Sequence, residues 1–396
     1  MTRLLGIDEA LARVLEHVRP LALEEVAVGG AAGRVLAADV AAAVSLPPFR
    51  SSAMDGYAVR SRDLPATLTV VDSSAAGRPA TVALGPGQAI EISTGATVPD
   101  DADAVVPIER VVVGDAGVTV AAAVPSGANV REPGRDVRAG DLVVPAGTVL
   151  RAAHLGAIAA AGRASVTCAR QPRVVVAPTG NELRPPGSEL RSGEIYESNG
   201  LLIAAQAASA GALTSELPPV ADDPQATRTA LAAALEADVV ITSGGVSVGP
   251  HDLVRAALEE LGAEEVFWRV AVKPGKPVAF LRRGATLVFG LPGNPVSSLV
   301  DFELFVRPAL RALQGAPPGP HYLPGRLALP ARRDLEREQL VRARLEVGQD
   351  GIVVSPLGAQ ESHMIVRSAA ADALVRIDRG EGELASGATV RYLPIL

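Results

Sequence analysis

Three loops rich in glycine, proline and lysine carry the residue types that could do chemistry. They are the segments TSGGVSVGPHD (242–252), KPGKP (273–277) and GLPGNP (290–295). Each follows an apolar run that is typical of a buried strand. Glycines let backbone N–H groups approach an anion closely, and lysines add positive charge. This pattern indicates a site for a phosphate or another oxyanion.

Two of these loops could bind the anion mainly through backbone donors and hydroxyl groups. A glycine-rich turn that only ends a strand also explains the first loop, and a helix cap at Asn294 also explains the last one. The end of a helix offers free N–H groups and a favourable dipole, so capping and anion binding are compatible there. The candidate binding positions are Thr242, Ser243, Gly244, Gly245, Ser247, Pro292, Gly293 and Asn294.

The KPGKP loop places Lys273 and Lys276 on either side of Gly275. The prolines restrict the loop, so that less entropy is lost when the ammonium groups are ordered around an anion. An exposed surface loop with solvated charges is the alternative. We favour the interpretation in which both lysines and Gly275 contact the anion.

Three carboxylates follow predicted strands at the same edge of the sheet as these loops. Asp252, Glu182 and Asp222 could hold Mg²⁺, which favours one or two carboxylates together with phosphate oxygens. The alternatives are a helix cap for Asp252 and a solvated surface acid for Glu182. For Asp223, next to Asp222, we favour capping.

The elements that position these residues change in character along the chain. Short valine-rich runs predict a β-rich amino-terminal region over residues 1–170, after a helix at residues 7–18. Strands that alternate with helices over residues 171–314 predict an α/β domain with a mostly parallel sheet. The segment GAPPGP (315–320) is a linker, and the turn-rich residues 321–396 predict a small β-barrel or sandwich.

Composition excludes several classes of protein. A net charge of -7 and 3% aromatic residues argue against a nucleic-acid binder. The single Cys168 excludes an intrachain disulfide and a cysteine zinc cluster. The charged start of the chain is unlike a signal peptide, and no uncharged apolar run has the length that a bilayer requires. We therefore expect a cytoplasmic protein without a membrane partner.

Polar islands in the amino-terminal half complete a set of motifs. The strings SSAMDGYAV, ISTGA, TGNEL, DVVITSGGVSVGPHD, KPGKP and GLPGNPVS occur in this order over nearly the whole chain. In combination they resemble the MoeA family, the molybdopterin molybdenumtransferases, whose eukaryotic relatives include a domain of gephyrin. The resemblance implies a MogA-like α/β domain, a lid-like domain inserted at about 46–138 and a carboxyl-terminal β-barrel.

The resemblance also implies a reaction. Such proteins take adenylylated molybdopterin and molybdate, require Mg²⁺, and release AMP and the molybdenum cofactor. They work as homodimers, with the active cleft between the amino-terminal lid of one subunit and the α/β domain of the other. A MogA-type adenylyltransferase and molybdoenzyme delivery factors are the expected partners.

Family roles carry over onto the positions where the motifs match. Those implicated in activity are Asp55, Thr94, Asp136, Glu182, Asp222, Asp252, Lys273 and Lys276. Arg131 matches a family arginine, and Arg342 and Ser362 match molybdate-binding positions of the carboxyl-terminal domain. Asp252 with Glu182 or Asp222 is the predicted Mg²⁺ site.

Three positions depart from the family pattern. Asn181 stands where an aspartate is common, Arg135 where an acid usually precedes Asp136, and Glu361 where a glycine usually precedes Ser362. The rival hypotheses are a MogA-like adenylyltransferase, against which the long amino-terminal half argues, and a scaffold protein, in which the acids would have no catalytic task.

Overall fold

The computed structural model describes residues 4–245 and 253–395, and it divides the chain into two compact units. One unit comprises residues 1–24, 33–37 and 167–396, and the other comprises residues 25–32 and 38–166. The predicted site residues Ser247 and Asp252 lie outside the described residues. None of the described helices has both the length and the apolar character needed to cross a membrane.

A six-stranded sheet forms the centre of the first unit. The strands Leu213–Glu216, Arg173–Pro178, Val239–Ser243 and Thr286–Leu291 pair in parallel in that order. Ala279–Arg283 then pairs antiparallel with Thr286–Leu291, and Glu264–Trp268 pairs antiparallel with Ala279–Arg283. Because two reversals restore the direction, Glu264–Trp268 runs parallel to Thr286–Leu291. The loops that follow these two strands therefore leave the sheet at one edge, as predicted.

Helices cover both faces of this sheet. They are Asn199–Ser209, Pro224–Ala234, Leu253–Glu260 and a long carboxyl-terminal run made of Pro295–Asp301, the π-helical Phe302–Val306 and Arg307–Leu313. The helix Ile7–Glu16 packs on one face, where Ile7 and Val14 join the larger apolar core. In the central strands, apolar side chains at successive positions, such as Val239 and Val240, bury into opposite cores, which explains the valine-rich runs.

Helix caps show where local prediction succeeds and fails. The Asp223 carboxylate accepts a hydrogen bond from the Ala226 N–H at 2.8 Å, which confirms the predicted cap. Ser198 immediately precedes the helix Asn199–Ser209, but its side chain makes no cap hydrogen bond. The Glu197 carboxylate accepts from the Gly200 N–H instead, at 2.7 Å. Asn294 precedes its helix as expected but also makes no side-chain cap bond.

The carboxyl-terminal part of the first unit is a closed five-stranded barrel, which confirms the barrel prediction. Its strands are Leu323–Leu327, Glu338–Gly348, Gly351–Pro356, Ala373–Ile377 and Thr389–Pro394. The short strand Val272–Lys273 pairs in parallel with Glu338 and Gln339 of the barrel. This pairing fixes the KPGKP loop against the barrel.

The second unit is β-rich, as predicted. Its main sheet has six strands, in the spatial order Ala104–Pro107, Gly56–Val59, Gln88–Ile92, Ala66–Ser74, Gly117–Val120 and Val111–Gly114. Separate apolar cores lie on its two faces, around Ile90 and around Val106. The helix Ala152–Ala160 also belongs to this unit.

Candidate active site

A cavity of about 520 Å³ opens at the carboxyl edge of the parallel strands. We name it the carboxylate cavity because Glu182, Glu197 and Asp222 line it. It also gathers predicted residues from two separate loops, namely Ser243, Gly244 and Gly245 from the first and Gly293 and Asn294 from the last. The sequence-based expectation that these loops meet at one sheet edge is therefore supported by their placement.

Asn199 ties two of the loops together and was missed by sequence reasoning. Its Nδ2 donates to the Ser243 Oγ and to the Gly293 carbonyl, each at 2.8 Å. Its Oδ1 is buried and has no hydrogen-bond partner among the described residues. An amide oxygen left without a partner beside a polar cavity is suited to accept a hydrogen bond from a ligand. The only local signal was the position of Asn199 at the start of a predicted helix.

The first glycine loop offers fewer donors than expected. Gly244 and Gly245 both have positive φ angles, of 93° and 66°, which glycine tolerates without strain. The Gly244 N–H donates to the Leu291 carbonyl at 3.1 Å, so this donor is used inside the protein. The Thr242 hydroxyl is fully buried and lies outside the described lining of the cavity. Of the predicted hydroxyl donors in the described part of this loop, Ser243 alone reaches the cavity.

Asp222 is held by contacts with Asn181, and Glu182 lies over Gly180. Asp222 Oδ2 accepts from the Asn181 N–H at 3.2 Å, and the Asp222 N–H donates to Asn181 Oδ1 at 3.0 Å. Asn181 therefore reproduces the backbone contact that an aspartate would make, without its charge. The Glu182 carboxylate folds over Gly180, where a Cβ atom on residue 180 would lie 2.5 Å from Oε2. Both acids are exposed to solvent.

The donor set fits Mg²⁺ in part. Across residues 4–245 and 253–395, no cluster of three or more His, Cys, Asp or Glu side chains is arranged to hold a metal ion. Glu182 and Asp222 nevertheless face the same cavity with oxygen donors only. Mg²⁺ is commonly held by one or two carboxylates that are completed by water and substrate phosphates. The third predicted ligand, Asp252, is outside the described residues.

A second cavity, of about 300 Å³, lies between the KPGKP loop and the barrel. We name it the cation cavity because Lys273, Lys276 and Arg337 line it. Gly275, Asn294, Ser297, Gln360, Glu361 and Ser362 complete most of its wall. Asn294 lines both cavities. The three predicted loops thus border two adjoining cavities instead of the single crevice that we expected.

Arg337 is a cation that the sequence reading missed. Its guanidinium lies 3.2 Å from Asp334 Oδ2, and Lys273 Nζ lies 3.9 Å from the same oxygen. Burial alone would raise the pKa of Asp334, but the N–H groups of Glu336 and Arg337 and the Arg337 guanidinium hold that pKa below its ordinary value. Asp334 therefore stays ionised and orders two of the three cations. Only the strand pairing of Val272–Lys273 with the barrel brings Arg337 here.

Arg342 has a different place from the one expected. It is fully buried and lies outside the described lining of the cation cavity. Its guanidinium donates to the carbonyls of Met364 at 2.6 Å and Ala359 at 2.9 Å. It thereby shapes the loop that carries Gln360, Glu361 and Ser362 to the cavity wall. The structure therefore shows a supporting contact for Arg342, and its role in binding molybdate stays a prediction.

Two further placements complete this unit. Pro292 is buried, and its carbonyl accepts a hydrogen bond from the Ser298 hydroxyl. His363 follows Ser362 and lines the carboxylate cavity together with Ile365. His363 was not singled out from sequence, because a lone histidine in a loop has no spacing signal.

The predicted residues of the second unit gather around one short strand. Asp55 Oδ1 accepts from the Thr94 N–H at 2.7 Å, although 39 residues separate them. The strand Ser51–Ser52 pairs antiparallel with Val130–Arg131, and the Gly95 N–H donates to the Ser52 carbonyl at 2.8 Å. The Asp136 N–H donates to the Leu46 carbonyl at 2.9 Å. Asp55, Thr94 and Arg131 therefore sit on segments that are joined within this unit.

Family models match three successive parts of the chain. They are the MoeA N-terminal region (domain I and II) at residues 5–162, a probable molybdopterin binding domain at residues 176–312, and the MoeA C-terminal region (domain IV) at residues 324–395. The central α/β domain therefore belongs to the class of probable molybdopterin binding domains.

Whole-length relatives define the family. The chain is 35% identical to the molybdopterin molybdenumtransferase of Haemophilus influenzae, over 99% of this chain and 98% of that protein. It is 38% identical to molybdopterin molybdenumtransferase 2 of Mycobacterium tuberculosis, over 96% of each. A solved MoeA structure from Pyrococcus horikosii has a TM-score of 0.82 at 31% identity and covers 99% of both chains. The chain belongs to the MoeA family.

Proposed function

We propose that this chain is a molybdopterin molybdenumtransferase that inserts molybdenum from molybdate into adenylylated molybdopterin, with Mg²⁺-dependent release of AMP. The observation that carries the proposal is the pair of adjoining cavities with opposite charge, which share Asn294. Two substrates of different chemistry need two subsites that meet where the transfer occurs. The family membership and the names of the relatives support the same assignment.

The carboxylate cavity is the proposed subsite for the adenylylated pterin. Glu182 and Asp222 would hold Mg²⁺, which when bound offsets negative charge on the phosphate groups. Asn199 and Ser243 supply neutral polar atoms that can orient the ligand. The volume of about 520 Å³ lies within the range of small-molecule sites.

The cation cavity is the proposed subsite for molybdate. Lys273, Lys276 and Arg337 surround a small space in which a dianion can be held by charge-assisted hydrogen bonds. Glu361 in the same wall disfavours a second anion and limits the net positive charge. Preorganised cations of this kind act through positioning and electrostatics.

Homodimerisation belongs to the proposal, as does supply of the adenylylated substrate by a MogA-type enzyme. In the proposed dimer, Asp55, Thr94, Arg131 and Asp136 of one subunit complete the active cleft of the other. In this arrangement the hydrogen bond from the Thr94 N–H to Asp55 would hold both residues in place for the cleft of the other subunit.

The test is AMP release from adenylylated molybdopterin, measured with and without molybdate and Mg²⁺, for the wild-type chain and for Asp252→Ala. We expect release to require both ions and to collapse in the variant. No release by folded wild-type dimer under any combination of ions would overturn the proposal in favour of a scaffold role. ATP-dependent formation of the adenylylated pterin would instead identify an adenylyltransferase.

A further inference from the structure

A carboxylic acid lies buried behind the cation cavity and has no role in the proposed reaction so far. Asp301, the last residue of the helix Pro295–Asp301, has an exposed fraction of 0%. Neither of its carboxyl oxygens has a hydrogen-bond partner among the described residues. Burial raises the pKa of Asp301 well above its ordinary value, because the charged form loses its hydration. The acid therefore favours its neutral form.

The Asp301 carboxyl presses directly on Gly275, the centre of the KPGKP loop. A side-chain carbon built on Gly275 would lie 2.2 Å from Oδ1 and 2.7 Å from Cγ of Asp301. Gly275 also has a φ angle of 113°, which side chains rarely adopt. The carboxyl thus occupies the space that any other residue at position 275 would need, and the loop rests on the acid.

One helix supplies both the wall of the cavity and this support. Asn294 and Ser297 line the cation cavity, and Asp301 follows Ser297 by four residues, so the two lie on the same helix face. Asp301 is outside the described lining, whereas Gly275 is part of it. Gly275 therefore separates the buried carboxyl from the space proposed for the oxyanion.

The charge of Asp301 matters at this position because few charged groups surround it. The loop carries Lys273 and Lys276, the next helical segment carries Glu303, and the packed segment Ile365–Ala370 carries Arg367. The helix Asn199–Ser209 and the strand Thr286–Leu291, which also pack against Pro295–Asp301, carry no titratable group. Glu303 is already paired with Arg307 at 2.6 Å. An ionised Asp301 would add negative charge behind an anion site.

We propose that the neutral carboxyl of Asp301 is a positioning residue that supports Gly275 and so sets the affinity of Lys273 and Lys276 for the oxyanion. This inference rests on the proposed function for the identity of the anion, but not for the contact itself. In this arrangement the uncharged Asp301 carboxyl fills the space between Gly275 and the helix Pro295–Asp301, and so fixes the position of the KPGKP loop. The lysines then bind a dianion without an added negative charge from Asp301 behind them.

The experiment measures the binding of molybdate alone to the full-length chain by titration calorimetry, without turnover. Asp301→Asn keeps the shape and the neutral state, so we expect a Kd within about twofold of wild type. Asp301→Ala removes the support, and we expect the Kd for molybdate to rise about tenfold, as for one weakened charge-assisted contact. The KM for adenylylated molybdopterin should change less than about twofold in both variants.

Two further measurements separate this role from a general loss of structure. Glu303→Gln alters another buried acid of the same helical run, one that is paired with Arg307, so it should lower stability and leave the Kd for molybdate unchanged. Raising the pH through the pKa of Asp301 should weaken molybdate binding to the wild-type chain more than to Asp301→Asn. Equal pH profiles would overturn the charge-state part of the proposal.

A folded Asp301→Ala variant with wild-type affinity for molybdate would overturn the positioning role. If that variant does not fold, Gly275→Ala takes its place, because the added methyl group must displace the Asp301 carboxyl; unchanged affinity there would overturn the proposal equally. Should AMP release fail in the wild-type chain while molybdate binding still depends on Asp301, the proposed function would fall and the positioning role would stand.

Discussion

The two cavities differ in charge although they share a residue and a sheet edge. The carboxylate cavity is lined by Glu182, Glu197 and Asp222, and the cation cavity by Lys273, Lys276 and Arg337. A phosphate ester can enter an acidic cavity when a divalent cation accompanies it, whereas a free oxyanion needs cations that belong to the protein. Under the proposed function, this difference in charge would let the two cavities favour different substrates.

This contrast arises from different parts of the chain. The α/β domain alone builds most of the carboxylate cavity, with His363 and Ile365 from the loop before the last two barrel strands. The cation cavity requires the barrel for Arg337, Gln360, Glu361 and Ser362. An α/β domain without a barrel would therefore keep most of the carboxylate cavity but would lack these four residues of the cation cavity wall. The following changes test this division of labour.

Lys276→Gln should have the largest effect, because it removes one of the three cations of the cation cavity and leaves the carboxylate cavity unchanged. Loss of one charge-assisted contact costs about 1.5–3 kcal/mol, so we expect the KM for molybdate to rise about 10- to 150-fold. The KM for adenylylated molybdopterin should stay within about threefold. Steady-state kinetics with each substrate varied in turn measures both values. Arg332→Gln, which removes an exposed barrel cation outside the described cavity wall, is the control; an equal effect there would mean that only net charge matters.

Asp222→Asn should affect the other cavity. The asparagine keeps an oxygen for the Asn181 N–H but removes one negative charge, so the Mg²⁺ concentration for half-maximal AMP release should rise about tenfold. Asp223→Asn is a matched control, since this neighbouring acid caps a helix and an asparagine caps equally well. A Mg²⁺ response that shifts with Asp223 and not with Asp222 would contradict the metal assignment.

Arg342→Lys should weaken the cation cavity indirectly. A lysine cannot reproduce the planar set of donors that joins Met364, Ala359 and Gln360, so we expect the free energy of unfolding to fall by about 2 kcal/mol. The KM for molybdate should rise about fivefold, because the loop with Ser362 loosens. Chemical denaturation and kinetics measure the two effects. A rise in KM with unchanged stability would instead point to direct contact with the anion.

Asp238→Asn should have the smallest effect, because Asp238 lines neither cavity and should influence only the stability at acidic pH. Burial would raise the pKa of Asp238, but its paired hydrogen bonds with Arg170, each at 2.7 Å, hold that pKa below its ordinary value. Because the folded pKa is depressed, this stabilisation is present above the unfolded pKa of about 3.9 and is lost as the pH falls through the folded value. Unfolding at a series of acidic pH values should show a shallower loss in the variant, with both KM values unchanged.

Much of the fold could be predicted because it depends on local pattern. The strand Val239–Ser243 and the cap at Asp223 follow from an apolar run and an Asp-Pro pair. The strand Ala279–Arg283 was missed, because a short run ending in two arginines has no clear alternation. The Ser198 side chain makes no bond to the helix that follows it, whereas the neighbouring Glu197 carboxylate accepts from the Gly200 N–H. Competition between neighbouring side chains is not visible in a pattern of residue types.

In the candidate site, too, features set by neighbouring residues could be predicted, and features set by contacts between distant segments could not. The types and order of residues in the glycine and lysine loops were enough to predict an anion site and to single out Lys273, Lys276, Asp222 and Glu182. Only the tertiary structure decided that these residues divide between two cavities, that Arg337 joins the lysines, and that Arg342 and Asp301 lie behind the wall. The reason is physical. The residue types of a loop are consecutive in the sequence and can be recognised there. The burial of a side chain and the charges near it depend on strand pairings between distant segments, such as Val272–Lys273 with Glu338–Gln339.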